Sequence, residues 1–218
     1  DLDISPLQKQ ILIGKILGDA YVCMGSDTAS IEFNHSKEYE DYLDWCIRGL
    51  GNICQNTKNN RISGYGTEMR GTVTNKLFFI KKHLGDFIKD GVKVVPDWIP
   101  QEMTPLALAF WYMDDGSLGH HEDQEDRAHF AVCDFTERDC RILIQALLKF
   151  GVNAIYYTSK NAELGGKDHS RLRLNAVDAE RFFLLIAPYI PPIMQYKLPE
   201  RYRGHPGWLP PAETGTFK

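Results

Sequence analysis

The chain has 218 residues, of which 43% are hydrophobic and 11% aromatic, enough to form the core of one large domain or two small ones. Its net charge of −4 and pI near 6.0 exclude a uniformly basic nucleic-acid binder, so any such function must depend on local charge. No apolar stretch reaches the roughly 20 residues that span a bilayer, and the N-terminal residues lack the pattern of a secretory signal. The composition therefore predicts a soluble, intracellular protein with no membrane partner.

The first predicted element is a helix in which Ser5 is the N-cap, followed by a proline, and which runs apolar to Asp19. A later segment repeats this pattern: Thr104 and a proline precede "LALAFWYMDDG", which ends at two aspartates and a glycine. Because 14 residues separate Ser5 from Asp19 and 11 separate Thr104 from Asp115, the second helix is predicted to be about one turn shorter.

Further segments of the chain repeat in the same order. The segment "SKEYEDYLDWCIRGLGN" aligns with "TERDCRILIQALLKFGVN" at an offset of 100 residues, and "KLFFIKKHL" aligns with "ERFFLLIAPY" at an offset of 104. The first pair predicts amphipathic helices that are capped at Ser36 and Thr136 and stop at Gly51 and Gly151. These matches indicate that the chain is a duplicated unit.

Between the helices lie segments in which polar and β-prone residues alternate, broken by glycines and asparagines. "ASIEFNH" and "AHFAVCDF" follow the two aspartates, and longer segments of the same kind follow the capped helices, which predicts two hairpins in each copy. Each copy then has the order αββαββα, a mixed α/β fold with antiparallel sheets. Three prolines in residues 96–105 predict an N-terminal repeat of residues 1–99, a C-terminal repeat of residues 100–204 and a tail of residues 205–218.

If the two copies pack about a pseudo-twofold axis, their equivalent first helices meet at that axis. Gly14 and Gly18 lie one turn apart, a small-residue face that lets a partner helix approach closely. Parallel packing would bring Asp19 and Asp115 together at helix C-termini, where the helix dipole disfavours anions. Two such carboxylates repel each other unless they are protonated or bridged by a metal ion, and a hard cation such as Mg²⁺ prefers oxygen ligands.

Two lysines would add positive charge to this predicted site. Lys93 in "VKVVP" and Lys197 in "QYKLP" are related by the same offset of 104 residues, so they occupy equivalent places in the two copies. Paired carboxylates, a divalent metal ion and nearby lysines together predict a site for phosphodiester hydrolysis.

The segments "LIGKILGDA" and "LAFWYMDDG" resemble the two signature helices of LAGLIDADG homing endonucleases, in the single-chain, two-repeat form. The resemblance covers residues 7–203. It implies a monomeric, site-specific endonuclease that makes a double-strand break in a long, partly asymmetric DNA target by Mg²⁺-dependent hydrolysis, with Mn²⁺ as a substitute. The compartment implied is a bacterial or phage-infected cytoplasm, or an organelle.

The resemblance also assigns roles to individual residues. It implies that Asp19 and Asp115 are the metal-binding catalytic carboxylates and that Lys93 and Lys197 flank the scissile phosphates. It adds the backbone carbonyls before the aspartates as metal contacts; these belong to Gly18 and Asp114.

The first and second signature helices depart from the pattern in three places. Ala20 stands where the first signature would end in glycine, and Phe110 and Asp114 stand where the first helix has glycines. These departures raise the question of how closely the two helices pack, and they make Asp114 a candidate third carboxylate.

By the same resemblance, the four strands of each repeat form a curved saddle that lies along the major groove of DNA. Basic side chains and a histidine in the presumed hairpins are then the candidate DNA contacts, although each is also consistent with an ordinary solvated charge. These candidates are Lys58, Arg61, Arg70 and Lys76 in the first repeat and Lys160, Lys167, His169, Arg171 and Arg173 in the second.

Two other functions compete with endonuclease activity. Some relatives of this family are maturases, which would make intron RNA a partner. A catalytically inert DNA-binding regulator on the same scaffold is the third hypothesis, and the two intact aspartates count against it.

Overall fold

The computed structural model describes residues 3–54, 59–64, 66–120, 125–160 and 168–205. The first repeat consists of α1 (Pro6–Leu17), β1 (Tyr21–Met24), β2 (Ala29–Ser36), α2 (Glu40–Leu50), β3 (Asn59–Ile62), β4 (Glu68–Val73) and α3 (Phe78–Leu84). A short hairpin of β5 (Ile88–Lys89) and β6 (Val92–Lys93), then α4 (Ile99–Glu102), lead to the second repeat. It consists of α5 (Pro105–Asp115), β7 (Gly116–His120), β8 (Asp126–Ala131), α6 (Glu137–Leu148), β9 (Ile155–Lys160), β10 (Asp168–Leu174) and α7 (Ala176–Ile186).

The two repeats have the same topology. Each contains a four-stranded antiparallel sheet, with strand order β1-β2-β4-β3 in the first and β7-β8-β10-β9 in the second. The predicted order αββαββα and the mixed α/β class are therefore confirmed. No helix in the described ranges combines the length and apolar character that crossing a membrane requires.

Helices cover one face of each sheet, and the other face is left open. Along β2, Ile31 and Phe33 are buried against the helices, while Glu32 between them points the other way. The same alternation appears in β8, where Ala128 and Phe130 are buried. Period-two burial of this kind is expected when one face of an antiparallel sheet packs on the core.

Helices α1 and α5 pack against each other at the centre of the molecule. A Cβ atom on Gly14 would lie 2.4 Å from the Ala107 carbonyl oxygen and 2.5 Å from Phe110 Cβ. One on Gly18 would lie 2.4 Å from Asp114 Cβ, so glycine is required at both positions. The glycines of α1 thus provide the space that Phe110 and Asp114 occupy, and the departure of α5 from the small-residue pattern is accommodated.

The two central helices run in the same direction, as predicted. Gln10 near the start of α1 accepts a hydrogen bond from the Thr104 hydroxyl at the start of α5, at 2.8 Å. Their lengths, however, differ by a single residue, 12 against 11, so the prediction of a helix one turn shorter is wrong. The reason is local: α1 ends at Leu17 and leaves Asp19 beyond the helix, whereas α5 continues through Asp115.

The predicted caps of the second helices are correct in one repeat only. Thr136 forms a capping box with Asp139 at the start of α6. Ser36 does not cap α2, because a 3₁₀ turn over Lys37–Tyr39 intervenes and the serine hydroxyl instead donates to Glu38. Gly51 and Gly151 have φ angles of 53° and 70°, the left-handed region that favours glycine just past a helix.

Candidate active site

The C-terminal ends of α1 and α5 place Asp19 and Asp115 in the same region of the molecule. Gly116 allows the chain to turn from α5 into β7, since a Cβ atom there would lie 2.0 Å from the Tyr112 ring. Burial, together with the charges of Asp19 and Asp114, raises the pKa of Asp115 to about 7. Burial and Asp114 likewise raise the pKa of Asp19, whose side chain is 43% exposed. The site therefore concentrates negative charge that favours either protons or a cation.

Lys93 and Lys197, the site lysines, reach the two helix ends. Lys93 Nζ donates to the Gly18 carbonyl at 2.7 Å. Lys197 Nζ donates to the Asp114 carbonyl at 3.2 Å and also to the carbonyl of Met113. Burial lowers the pKa of both lysines, while the neighbouring aspartates act in the opposite direction. Each lysine thus satisfies carbonyl groups that the helix leaves unpaired and brings positive charge to the carboxylates.

The Asp114 carboxylate is enclosed by hydrogen-bond donors. Its side chain is completely buried, and Lys15 Nζ, itself buried, lies 2.9 Å from Oδ1 and 2.8 Å from Oδ2. The Tyr42 hydroxyl donates to Oδ1 at 2.9 Å, and the backbone N–H of Asp19 donates to Oδ2 at 3.2 Å. Burial alone would raise the pKa of Asp114, but Lys15 and His35, with the hydrogen bonds from Lys15 and Tyr42, together outweigh burial and lower that pKa. Lys15 already pairs with this carboxylate, so its role as a third metal ligand stays a prediction, and the Asp114 carbonyl remains at the site.

His35, at the end of β2, joins this buried group. Its Nε2 lies 2.8 Å from Lys15 Nζ, and its Nδ1 lies 3.6 Å from Asp19 Oδ2. Burial, with the Lys15 charge, lowers the pKa of His35 to about 3, so the ring is neutral. Sequence analysis missed this residue. The available signal was the alternation of β2, which places His35 at a core position after Ile31 and Phe33.

Two sets of ligand atoms are candidates for holding a metal ion. Ligand atoms of Asp19, His35 and Asp114 lie within 4.8 Å of one another. Lys15 contacts two of these three groups, so a divalent cation among them would meet a fixed positive charge at short range. The carboxylates of Asp19 and Asp115, with the carbonyls of Gly18 and Asp114, form an all-oxygen set that suits Mg²⁺ better.

The open face of the first sheet carries few of the predicted DNA contacts. Arg61 lies on it, paired in an ion pair with Glu32. Arg70 lies on the opposite, helix-facing side, because it pairs in register with His35, and its Nε is 3.6 Å from Glu40 of α2. The prediction that Arg70 belongs to the saddle face is therefore corrected. Lys76 is exposed in the loop after β4, and Lys58 lies outside the described residues.

The open face of the second sheet is more basic. Arg171 and Arg173 project from it, alternating with buried Leu172 and Leu174, and the Arg173 guanidinium lies 5.5 Å from the centre of the Tyr157 ring. His169 shares this face by alternation. The side chain of Lys160 and the whole of Lys167 lie outside the described residues.

Two further basic residues on this face were missed. Arg127 and His129 alternate with buried Ala128 and Phe130 in β8, a period-two pattern that the sequence contained. His129 pairs in register with Arg173, and burial together with the neighbouring arginines lowers the pKa of His129. Positive charge is therefore concentrated on the second sheet.

The sequence profile of the LAGLIDADG DNA endonuclease family matches residues 9–173, most of the chain. The chain belongs to this family. The two central helices, which lead to Asp19 and Asp115, are its signature helices, and the single-chain, two-repeat form predicted from the sequence is confirmed.

One relative of this LAGLIDADG protein is RecA of Mycobacterium shimoidei, which is 28% identical over 92% of this chain. Another is the probable intron-encoded endonuclease 1 of Wickerhamomyces canadensis, which is 26% identical over 89% of this chain. The match covers 48% of the RecA protein and 85% of the yeast protein, so the chain spans about half the length of the RecA relative. The structure of the homing endonuclease I-WcaI bound to its DNA recognition sequence has a TM-score of 0.78, with 24% identity over 91% of this chain and 88% of the other. That likeness supports the fold.

Proposed function

We propose that this LAGLIDADG protein is a monomeric homing endonuclease that cuts both strands of a specific double-stranded DNA site by metal-dependent hydrolysis. The observation that carries the proposal is the pair of aspartates at the ends of the signature helices, where burial and the charges of neighbouring aspartates raise the pKa of both. A raised carboxyl pKa means that the charged form destabilises the folded protein, and groups destabilised in this way occur at functional sites. Membership of the DNA endonuclease family supports the same conclusion.

The residues that would hold Mg²⁺, or Mn²⁺ in its place, are Asp19 and Asp115, with the carbonyls of Gly18 and Asp114. When bound, the cation supplies an activated water and neutralises charge on the scissile phosphates. Both carbonyls already accept hydrogen bonds from the site lysines, and a carbonyl oxygen has a second lone pair for another contact. The donor set therefore fits a hard divalent cation.

The site lysines would act directly on the reacting phosphates. Lys93 and Lys197 are half-buried and anchored at the helix ends, so their ammonium groups are held in place. Positioned positive charge in a partly water-excluded site stabilises the charge that develops on phosphate oxygens in the transition state. Each lysine lies against the helix end of its own repeat, which suits one lysine for each DNA strand.

The open faces of the two sheets would contact the DNA. Arginine side chains on exposed strands match both phosphate oxygens and guanine edges in the major groove. The second face carries Arg127, Arg171 and Arg173, whereas the first carries Arg61; Arg61 pairs with Glu32, and Arg127 pairs with Glu125. Since the two faces differ in charge and residue type, the proposed target has two unlike halves.

A cleavage selection tests this function and identifies the target sequence in the same experiment. The full chain is incubated with a randomised duplex library and Mg²⁺, and newly formed ends are captured and sequenced. We expect one family of long, partly asymmetric sites, cut on both strands. The Asp19→Asn variant is the matched control: it should bind these sites in EDTA as the parent does, and it should not cut either strand at the parental rate when Mg²⁺ is added.

DNA-binding, RNA-binding and splicing assays beside this selection separate the alternatives. Sequence-specific DNA binding by the parent without cleavage would indicate an inert regulator. Binding to a structured intron RNA with stimulation of its splicing, and no DNA cleavage, would indicate a maturase. Either result would contradict the endonuclease proposal.

A further inference from the structure

The residues behind the site aspartate differ between the two repeats. The Lys15 cluster, which consists of Lys15, His35, Tyr42 and Asp114, lies behind Asp19 and is linked by contacts of 2.8 to 2.9 Å. The sequence offsets and strand registers give each member a nonpolar counterpart in the other repeat. These counterparts are Trp111 for Lys15, Val132 for His35, Ile142 for Tyr42 and Gly18 for Asp114.

The contacts of the Lys15 cluster determine which nitrogen of His35 carries the proton. An ammonium group only donates hydrogen bonds, so Nε2, at 2.8 Å from Lys15 Nζ, must accept. A neutral imidazole with a free lone pair on Nε2 carries its proton on Nδ1. The Nδ1 atom that carries this proton lies 3.6 Å from Asp19 Oδ2.

We propose that His35 is a positioning residue for the Asp19 carboxylate, a role with no counterpart in the other repeat. Asp114 holds the backbone N–H of Asp19 at 3.2 Å while His35 faces its side chain, so Lys15 indirectly orients both parts of the residue. Among the described residues, no hydrogen bond or ion pair reaches the Asp115 carboxylate. This inference rests on the proposed function: it predicts that the two DNA strands respond unequally to changes in the Lys15 cluster.

The first test is independent of cleavage. Long-range ¹H–¹⁵N correlation spectra of the metal-free protein report which ring nitrogen is protonated, and the His35 signals are assigned by their loss in His35→Val. We expect a neutral ring that is protonated at Nδ1. A ring protonated at Nε2, or at both nitrogens at neutral pH, would overturn the proposal.

The second test measures the cleavage of each strand separately, on a selected site labelled at both 5′ ends. The His35→Val variant introduces the residue that the second repeat has at this position. We expect one strand to be cut about tenfold to a hundredfold more slowly than the other, a range typical of misplaced reacting groups, so that nicked DNA accumulates. The His35→Asn variant retains an N–H near the place of Nδ1 and should restore much of the lost rate.

A control separates positioning from general damage to the fold. Thr72→Val also removes a buried polar group from the helix-facing side of the first sheet, where it pairs in register with Phe33. This control should cut both strands equally. Equal slowing of both strands by His35→Val, or unchanged rates, would contradict the positioning role. If the parent itself cuts no DNA, the proposed endonuclease fails, and the NMR experiment still decides the orientation of His35.

Discussion

Replacing Asp115 with asparagine should make the metal-free protein more stable while abolishing its cleavage of DNA. Burial and the charges of Asp19 and Asp114 raise the pKa of Asp115 from 3.8 to about 7. The folded state therefore binds a proton more tightly than the unfolded state does. Asparagine has nearly the same shape without the charge, so the variant avoids the repulsion that the parent retains at neutral pH.

The expected magnitude and its pH dependence follow from this pKa. For a carboxyl group with a raised pKa, the folded state binds more protons between about pH 4 and pH 7, so stability falls as pH rises through that range. Above pH 7 the cost is on the order of 4 kcal/mol. We expect Asp115→Asn to recover about 2 to 4 kcal/mol at pH 8 and almost none at pH 4, because the parent side chain is protonated there.

Urea unfolding in EDTA at several pH values measures this difference. The matched control is Asp27→Asn, which changes an exposed aspartate on the β1–β2 connection. It should leave stability within about 0.5 kcal/mol of the parent at every pH, as surface changes usually do. A variant at position 115 that is no more stable than the parent at pH 8, or a difference that is independent of pH, would refute the argument that Asp115 repels its neighbours.

Three further predictions address the helix interface, the lysines and the DNA-binding faces. Gly14→Ala should cost roughly 1 to 3 kcal/mol in chemical unfolding, because its methyl group meets α5, whereas Gly64→Ala, which has open space, should cost little. Replacing either site lysine with methionine should slow cleavage about tenfold to a thousandfold in single-turnover assays, and parental rates in both variants would contradict their role. Arg171→Ala should reduce the salt dependence of DNA binding by about 0.9 in log–log slope if it contacts one phosphate. Arg61→Ala should reduce the slope less, because Arg61 already pairs with Glu32; equal effects would refute the inferred asymmetry.

The duplication and the helix pairing were predictable because they leave periodic marks in the sequence. Matching caps, apolar runs and glycine stops recur at nearly constant offsets, and Gly14 and Gly18 mark a face of close approach. The equivalence of Lys93 and Lys197 likewise follows from their shared offset, and the structure places both at helix ends. Signals of this kind are local, or repeat locally, and do not depend on tertiary contacts.

The details that escaped prediction depend on register or on distant partners. A shift of one residue moves every side chain of a strand to the opposite face of the sheet. The face on which Arg70 lies therefore follows only from the pairing of β4 with β2, which places Arg70 opposite His35. The end of α1 depended on where the backbone leaves the helix after Leu17. Lys15 and Asp114 are 99 residues apart, and nothing in either local sequence indicates that they form an ion pair.

That ion pair also fixes how the two repeats meet. Lys15 belongs to α1 and Asp114 to α5, and both side chains are fully buried at the interface of these helices. A slip of one helix by a turn would leave a buried charge without its partner, and breaking a buried pair in this way typically costs about 3 to 5 kcal/mol. The Gly14 and Gly18 contacts disfavour the same slip by steric fit. The alignment that brings Asp19 and Asp115 to one site is therefore specified twice, once by shape and once by charge.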